Sequence, residues 1–236
     1  MGTQKPFRLV IFDWDGTVMD SGQTILACMR SSFADVDYTY PGDDMVRGGI
    51  GLGLDQMLVY LAPEAPKALH RKIIARYRHH WLSNQKDEHQ PFEGAEETIV
   101  ALSEQGYQLA VATGKSRAGL DRELARTGLD RYFLTTRTVN ESPSKPNPQM
   151  LLDVLEDLGA RPQNALMVGD STYDLEMAHH AKVASVGVLC GSHSRAKLEH
   201  WGPLQCLPDI SGLPSWLERR SSNLPHVSCG TIALIS

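Results

Sequence analysis

Asp13 and Asp15 stand one residue apart in Phe12-Asp13-Trp14-Asp15-Gly16-Thr17, directly after the apolar run Leu9-Val10-Ile11. Ionised carboxylates avoid interiors unless paired or metal-bound, and two this close repel each other. A divalent cation removes that difficulty, because hard cations take several oxygen ligands at once. A surface turn is the plainer alternative, since D-x-D-G is also ordinary turn chemistry. Further polar groups bear on the choice. Thr113 follows the apolar run Leu109-Ala110-Val111-Ala112, and Lys145 sits in Ser144-Lys145-Pro146-Asn147-Pro148. Asp170 and Asp174 follow Ala165-Leu166-Met167-Val168. Residues at the carboxyl ends of parallel strands project into the crevice where open α/β sheets bind ligands.

Positioning these groups takes strands alternating with helices. Tyr107 to Thr113, Ala165 to Val168 and Val183 to Leu189 read as strands, beside the one ending at Phe12. Between them run helical stripes. Ala95, Ile99 and Leu102 end at Gly106, and Leu120 and Leu124, after the cap Ser116, end at Gly128. Met150, Leu151, Val154, Leu155 and Leu158 are closed by Gly159, and Leu175 and Ala178 mark a later helix. This alternation predicts a parallel sheet with right-handed crossovers, a doubly wound, Rossmann-like α/β core. No strand pattern occurs between Thr17 and Pro91. There, Ser21 or Asp20 caps a helix bearing Ile25, Leu26, Met29 and Phe33, and Leu69, Ile73, Tyr77 and Trp81 mark another. Arg71, Lys72, Arg76 and Arg78 fall elsewhere around that second helix and read as a solvated basic face. The predicted division is a core of residues 1–17 and 91–220, an all-helical insertion of 18–90, and a tail of 221–236.

Two lookalike motifs fail. The glycine-rich stretch from Val46 to Leu54 has its third glycine misplaced for a dinucleotide fingerprint, and no strand precedes it. Gly114-Lys115-Ser116 is not a P-loop ending, because Leu109 stands where that loop needs glycine. His79-His80 and His179-His180 are adjacent on helices and point apart, which argues against metal ligation.

Together the four polar stretches resemble, in order, the four motifs of the haloacid dehalogenase superfamily of phosphotransferases, over roughly residues 7 to 190. The resemblance implies that Asp13 is a nucleophile forming an aspartyl-phosphate, which splits one hard step into two. Asp15 would protonate the leaving group and then deprotonate the attacking water. True dehalogenases of the superfamily resemble D-x-Y-G-T at that point, so Asp15 disfavours dehalogenation. The implied cofactor is Mg²⁺, held by Asp13 and Asp170 with the backbone carbonyl of Asp15, while Asp174 orients a ligand or a metal-bound water. Thr113 and the amides of Gly114 and Lys115 are the implied phosphate contacts, and Lys145 the fixed cation neutralising Asp13 and the phosphoryl group. Gly114 departs from the pattern, since many relatives carry Asn there. The helical insertion matches in position the cap domain of the superfamily.

With 236 residues and 42% hydrophobic content the chain can bury a full core, and a net charge of −5 argues against a nucleic-acid partner. Cys28, Cys190, Cys206 and Cys229 form no C-x-x-C pair and read as free thiols in a reducing compartment. No signal peptide or membrane-length apolar run is present, so a cytoplasmic protein without a membrane partner is expected, as monomer or homodimer. Asn140-Glu141-Ser142 fits a glycosylation sequon but, with no secretion signal, reads as a loop. The resemblance runs most strongly to phosphoglycolate phosphatases, which implies a small phosphate-ester substrate. A β-phosphoglucomutase-like sugar phosphomutase and an inorganic pyrophosphatase share the motifs and stay open. A non-catalytic interaction protein is disfavoured because all four motifs are intact. Arg47, at the edge of Gly48-Gly49-Ile50-Gly51-Leu52-Gly53, is a candidate to take a substrate carboxylate, with a surface ion pair to Asp43 or Asp44 as the alternative.

Overall fold

A computed structural model describes residues 5–83 and 89–222. Cys229 and nearly all of the tail from 221 lie outside that range. Six parallel strands form one sheet in the order β3-β2-β1-β4-β5-β6, namely Thr135–Arg137, Gln108–Ala112, Leu9–Phe12, Ala165–Gly169, Ala184–Val188 and Cys206–Leu207. This is a doubly wound order, whose direction reverses between β1 and β4. β3 and β6 were not legible as strands: each is an edge piece of three or two residues, too short for a period to show.

The strands bury both faces, as parallel sheets must when helices cover each side. Along β1, Val10 and Phe12 enter one apolar cluster, while Leu9 and Ile11 enter the other. β2 and β4 alternate in the same way, with Leu109, Val111, Leu166 and Val168 on the first face and Ala110, Ala112, Ala165 and Met167 on the second.

Before β2 the chain forms α1 (Gly22–Ala34), α2 (Asp43–Gly49), α3 (Leu54–Leu61), α4 (Lys67–Ser83) and α5 (Ala95–Glu104). The first four pack around an apolar cluster of their own, from Leu26, Met29 and Phe33 to Leu58, Ile73 and Tyr77. The chain enters and leaves this segment by two adjoining stretches: Asp20 N donates to Gln90 O at 2.9 Å and Phe92 N to Val18 O at 2.9 Å. After β2 come α6 (Arg117–Thr127), α7 (Gln149–Asp157), α8 (Thr172–His180), α9 (Arg195–Glu199) and α10 (Leu213–Ser222). Among the described residues, Cys28, Cys190 and Cys206 are in no disulfide. No described helix is long and apolar enough to cross a membrane.

Candidate active site

Three neighbouring strands deliver polar side chains to one edge. Asp13 follows β1 and extends the ladder, its amide donating to Val168 O at 2.9 Å. Thr113 follows β2, and Asp170 follows β4. Lys145 arrives from the loop before α7, and Asp174 from the first turn of α8. Asp13 and Lys145 are each 1% exposed, and Asp170 and Asp174 are fully buried. The Lys145 ammonium lies 2.6 Å from Asp13 Oδ1 and 2.6 Å from Asp174 Oδ1.

Each remaining carboxylate oxygen has its own holder, with one exception. Asp170 Oδ1 accepts from Thr17 Oγ1 at 2.9 Å, and Oδ2 accepts from the Ser192 amide at 2.7 Å. Asp174 Oδ2 accepts from Ser171 N and Oγ at 3.0 and 2.7 Å, closing the capping box of α8. Two glycines make room for Asp170: a Cβ on Gly191 would stand 2.1 Å from its Oδ2, and one on Gly16 2.5 Å. The exception is Asp13 Oδ2, buried without a hydrogen-bond partner.

Crowded charge without solvent shifts these groups. Burial first, and then the neighbouring Asp174, push the Asp13 carboxyl well above the usual carboxylate range, and Lys145 offsets this only in part. Burial and Asp174 likewise raise Asp170 to about 6. For Lys145, burial works against the charge, but Asp13 and Asp174 outweigh it and keep the ammonium protonated. Three carboxylates, with oxygens within 4.8 Å of one another, thus face a single ammonium. That surplus of negative charge, and the orphaned Asp13 oxygen, fit a hard divalent cation.

Asp15 occupies a second, less buried cluster. Its Oδ1 accepts from Ser21 Oγ at 2.7 Å, and the Lys115 ammonium reaches Oδ1 and Oδ2 at 3.0 and 3.1 Å. Ser21 does stand at the N-cap of α1, but its hydroxyl serves Asp15 and makes no cap bond. The sequence assigned Lys115 through its amide; that amide donates to Thr113 Oγ1 at 3.2 Å, and the side chain turns to Asp15. Lys115 also meets Glu123 Oε1 at 2.9 Å and lies over the Trp81 ring, 4.4 Å from its centroid. Glu123 is itself buried, with Oε2 accepting from Trp14 Nε1 at 2.5 Å and Oε1 3.0 Å from His89 Nε2. Burial raises the Glu123 carboxyl, but Lys115 and the bonds from His89 and Lys115 outweigh it and bring it to about 2. Sequence reasoning missed Glu123. The available signal was a charge on the buried stripe of α6, between Leu120 and Leu124.

A cavity of about 350 Å³ opens off Asp13, Asp15 and Thr113. Ile25, Ile50, Leu52 and Met57 give it an apolar wall from the helical segment, and Arg78, Arg122 and Asn140 also line it. Arg78 lines this cavity while staying exposed, as the solvated face requires. Arg47 is not among the lining residues; it sits in the last turn of α2, and its charge helps hold the Asp43 carboxyl low, after the larger effects of Arg30 and Tyr40. The glycine-rich stretch beside it docks on the core by its backbone. Gly48 O accepts from Tyr173 Oη at 2.8 Å, and Gly53 N donates to Ser144 Oγ at 2.8 Å. Gly114 lies beneath this loop, where a Cβ would stand 2.6 Å from Gly51 O and 2.8 Å from Leu52 O. No side chain fits there, which accounts for the missing Asn.

The chain is similar to known proteins. The family model described as haloacid dehalogenase-like hydrolase matches residues 10–188. The chain is 34% identical over 197 residues to a protein named "Probable phosphatase IndB" of Dickeya dadantii, covering 81% of this chain and 85% of that one. It is 29% identical over 208 residues to the pyrophosphatase PpaX of Halalkalibacterium halodurans, covering 85% and 94%. A solved structure described as a predicted phosphoglycolate phosphatase from Haemophilus somnus superposes with a TM-score of 0.82 at 25% identity, over 90% of this chain and 99% of that one.

Proposed function

The chain belongs to the haloacid dehalogenase-like hydrolase family, and we propose that within it this protein is a Mg²⁺-dependent phosphatase of a small organic phosphate monoester, working through an aspartyl-phosphate on Asp13. The observation that carries this reading is Asp13 Oδ2: a buried carboxylate oxygen with no partner, in a residue that lines the cavity and is held by Lys145 from its other oxygen.

Phosphate monoesters hydrolyse so slowly in water that acceleration up to about 10²¹-fold is needed, chiefly because an anion must approach an anion. Asp13 attacks phosphorus, forming a P–O bond to its carboxylate as the bond to the leaving oxygen breaks. Asp15, also on the cavity wall, hands a proton to that leaving oxygen. In the second step Asp15 takes a proton from water, which attacks phosphorus and releases Asp13. Lys145 neutralises Asp13 and the phosphoryl group throughout, and Thr113 with the Gly114 and Lys115 backbone borders the phosphoryl position. Asp13 and Asp170, with the Asp15 carbonyl, are the residues that would hold Mg²⁺. Once bound, that ion supplies positive charge to the phosphoryl oxygens. Asp174, with both oxygens engaged by Lys145 and Ser171, orients Lys145. Residues 1–17 and 91–220 form the catalytic core in this reading, and 18–90 the cap that closes the cavity.

Pyrophosphate, the substrate in the name of the PpaX relative, fits less well. Its leaving group is a second phosphoryl carrying several charges, which Arg122 could meet only in part while the rest is desolvated against Ile25, Ile50, Leu52 and Met57. An alcohol with some apolar surface suits that wall. A phosphate-release panel with and without EDTA tests this: alkyl and aryl monoesters should turn over in Mg²⁺ and stall in chelator. Pyrophosphate turning over ten times faster than every monoester would overturn the substrate class.

A further inference from the structure

Glu123 lies outside the four motifs, and no step of the proposed reaction uses it. It is nevertheless a nearly buried carboxylate whose two oxygens are both engaged. Oε2 is held by the Trp14 indole, between Asp13 and Asp15 in sequence. Oε1 meets the Lys115 ammonium at 2.9 Å and His89 at 3.0 Å. A carboxylate costs several kcal/mol to bury, so this arrangement persists only because its partners are fixed around it. Lys115, 8% exposed in its side chain, is pinned in turn from three directions: Glu123, both oxygens of Asp15, and the face of Trp81. Burial opposes its charge, but Asp15 and Glu123 more than restore it, so the ammonium stays protonated.

We propose that Glu123 is a positioning residue that sets Asp15 for proton transfer by holding Lys115 against it. A lysine alone is a flexible point charge on a four-carbon stem. With Glu123 on one side and Trp81 above, its ammonium is held where it meets both Asp15 oxygens. General acid catalysis needs the carboxyl within hydrogen-bond reach of the leaving oxygen, and an Asp15 free to rotate would lose that geometry; Glu123 shares the ammonium's charge, so Lys115 orients Asp15 without setting an uncompensated cation against its proton. His89 also packs against Trp81, in the last turn of α4, their rings tilted by 55° at a centroid separation of 5.0 Å.

This inference rests on Asp15 being the acid, so the test separates the two. The value of kcat/KM for p-nitrophenyl, phenyl and benzyl phosphate would be measured for wild type, Asp15→Asn, Lys115→Met, Glu123→Gln and the Lys115→Met/Glu123→Gln double variant. Because kcat/KM reports the first step, loss of the acid shows as a penalty that grows as the leaving group worsens. Asp15→Asn showing no such growth would refute the role of Asp15 itself. If that growth is seen, Glu123→Gln should lower kcat/KM for benzyl phosphate by ~10- to 100-fold and for p-nitrophenyl phosphate by less than about threefold. The double variant should be no worse than Lys115→Met alone, within about threefold, because both changes break one chain of contacts. Equal losses on all three esters, or losses that multiply in the double variant, would overturn the inference. Should Glu123→Gln fail to fold, Lys115→Met decides, since it keeps the Trp14 and His89 bonds to Glu123. An unchanged leaving-group dependence there also overturns it.

Discussion

Binding of Mg²⁺ should collapse between pH 7.5 and pH 5, and the structure sets the scale of that collapse. Asp170 is raised to about 6 by burial and by Asp174. A carboxyl of that pKa is about 97% ionised at pH 7.5 and about 9% at pH 5, so Asp170 alone weakens the ion's hold about tenfold over that interval. Asp13, also raised, makes the fall steeper than one proton would. The metal-free protein should behave in the opposite sense. A carboxyl raised in the folded state binds its proton more tightly there than in the unfolded chain. Its stability contribution is complete below about pH 4 and is lost as pH rises through about 6, on the order of 3 kcal/mol for Asp170. Mg²⁺ replaces the lost proton, so the rise in Tm that it causes should be clearly larger at pH 7.5 than at pH 5. Differential scanning calorimetry with and without 10 mM-scale Mg²⁺, on wild type and Asp170→Asn, reads this directly. An equal Tm rise at both pH values would refute the placement of the ion among these carboxylates, as would an undiminished rise in the variant.

The remaining predictions concern space and charge around the same groups. Gly191→Ala places a Cβ 2.1 Å from Asp170 Oδ2 and forces that carboxylate aside, so the variant should lose its Mg²⁺-induced Tm shift and fall roughly 100-fold or more in turnover. A retained shift would show that Asp170 does not need its present position. Gly114→Asn should lift the Gly51-Leu52 backbone and raise KM more than it lowers kcat, as steady-state kinetics would show. Arg122→Ala should lower kcat/KM for an anionic alkyl phosphate roughly three- to tenfold, while Arg47→Ala, which alters no cavity wall, should do so less. The reverse order would return Arg47 to the substrate.

The polar residues at the strand ends were legible because the strands are buried on both faces, which leaves long apolar runs stopped abruptly by Asp13, Thr113 and Asp170. Period and punctuation were enough there. The short edges β3 and β6 have no such contrast. Side-chain allegiances across the fold were not legible either. Ser21 looked like a cap and is at the cap position, yet its hydroxyl turns to Asp15. Lys115 was read through its backbone, because nothing in the sequence brings Glu123, His89 and Trp81 to its ammonium. The glycine-rich stretch pointed to a ligand through Arg47; its glycines instead let backbone approach Ser144, Ser171 and Tyr173. That approach depends on where the helical segment sits on the core, which local pattern does not encode.

The central claim is that Asp13 carries the phosphoryl group between the two steps. The direct measurement is a rapid acid quench of Asp15→Asn turning over p-nitrophenyl phosphate, followed by peptide mapping by mass spectrometry. That variant keeps a good leaving group for the first step but lacks the base for the second, so phosphoenzyme should accumulate. A burst of p-nitrophenol equal to the enzyme concentration, with phosphate on the peptide at Asp13, is the predicted result. A burst with the phosphate mapped to any other residue would contradict the account.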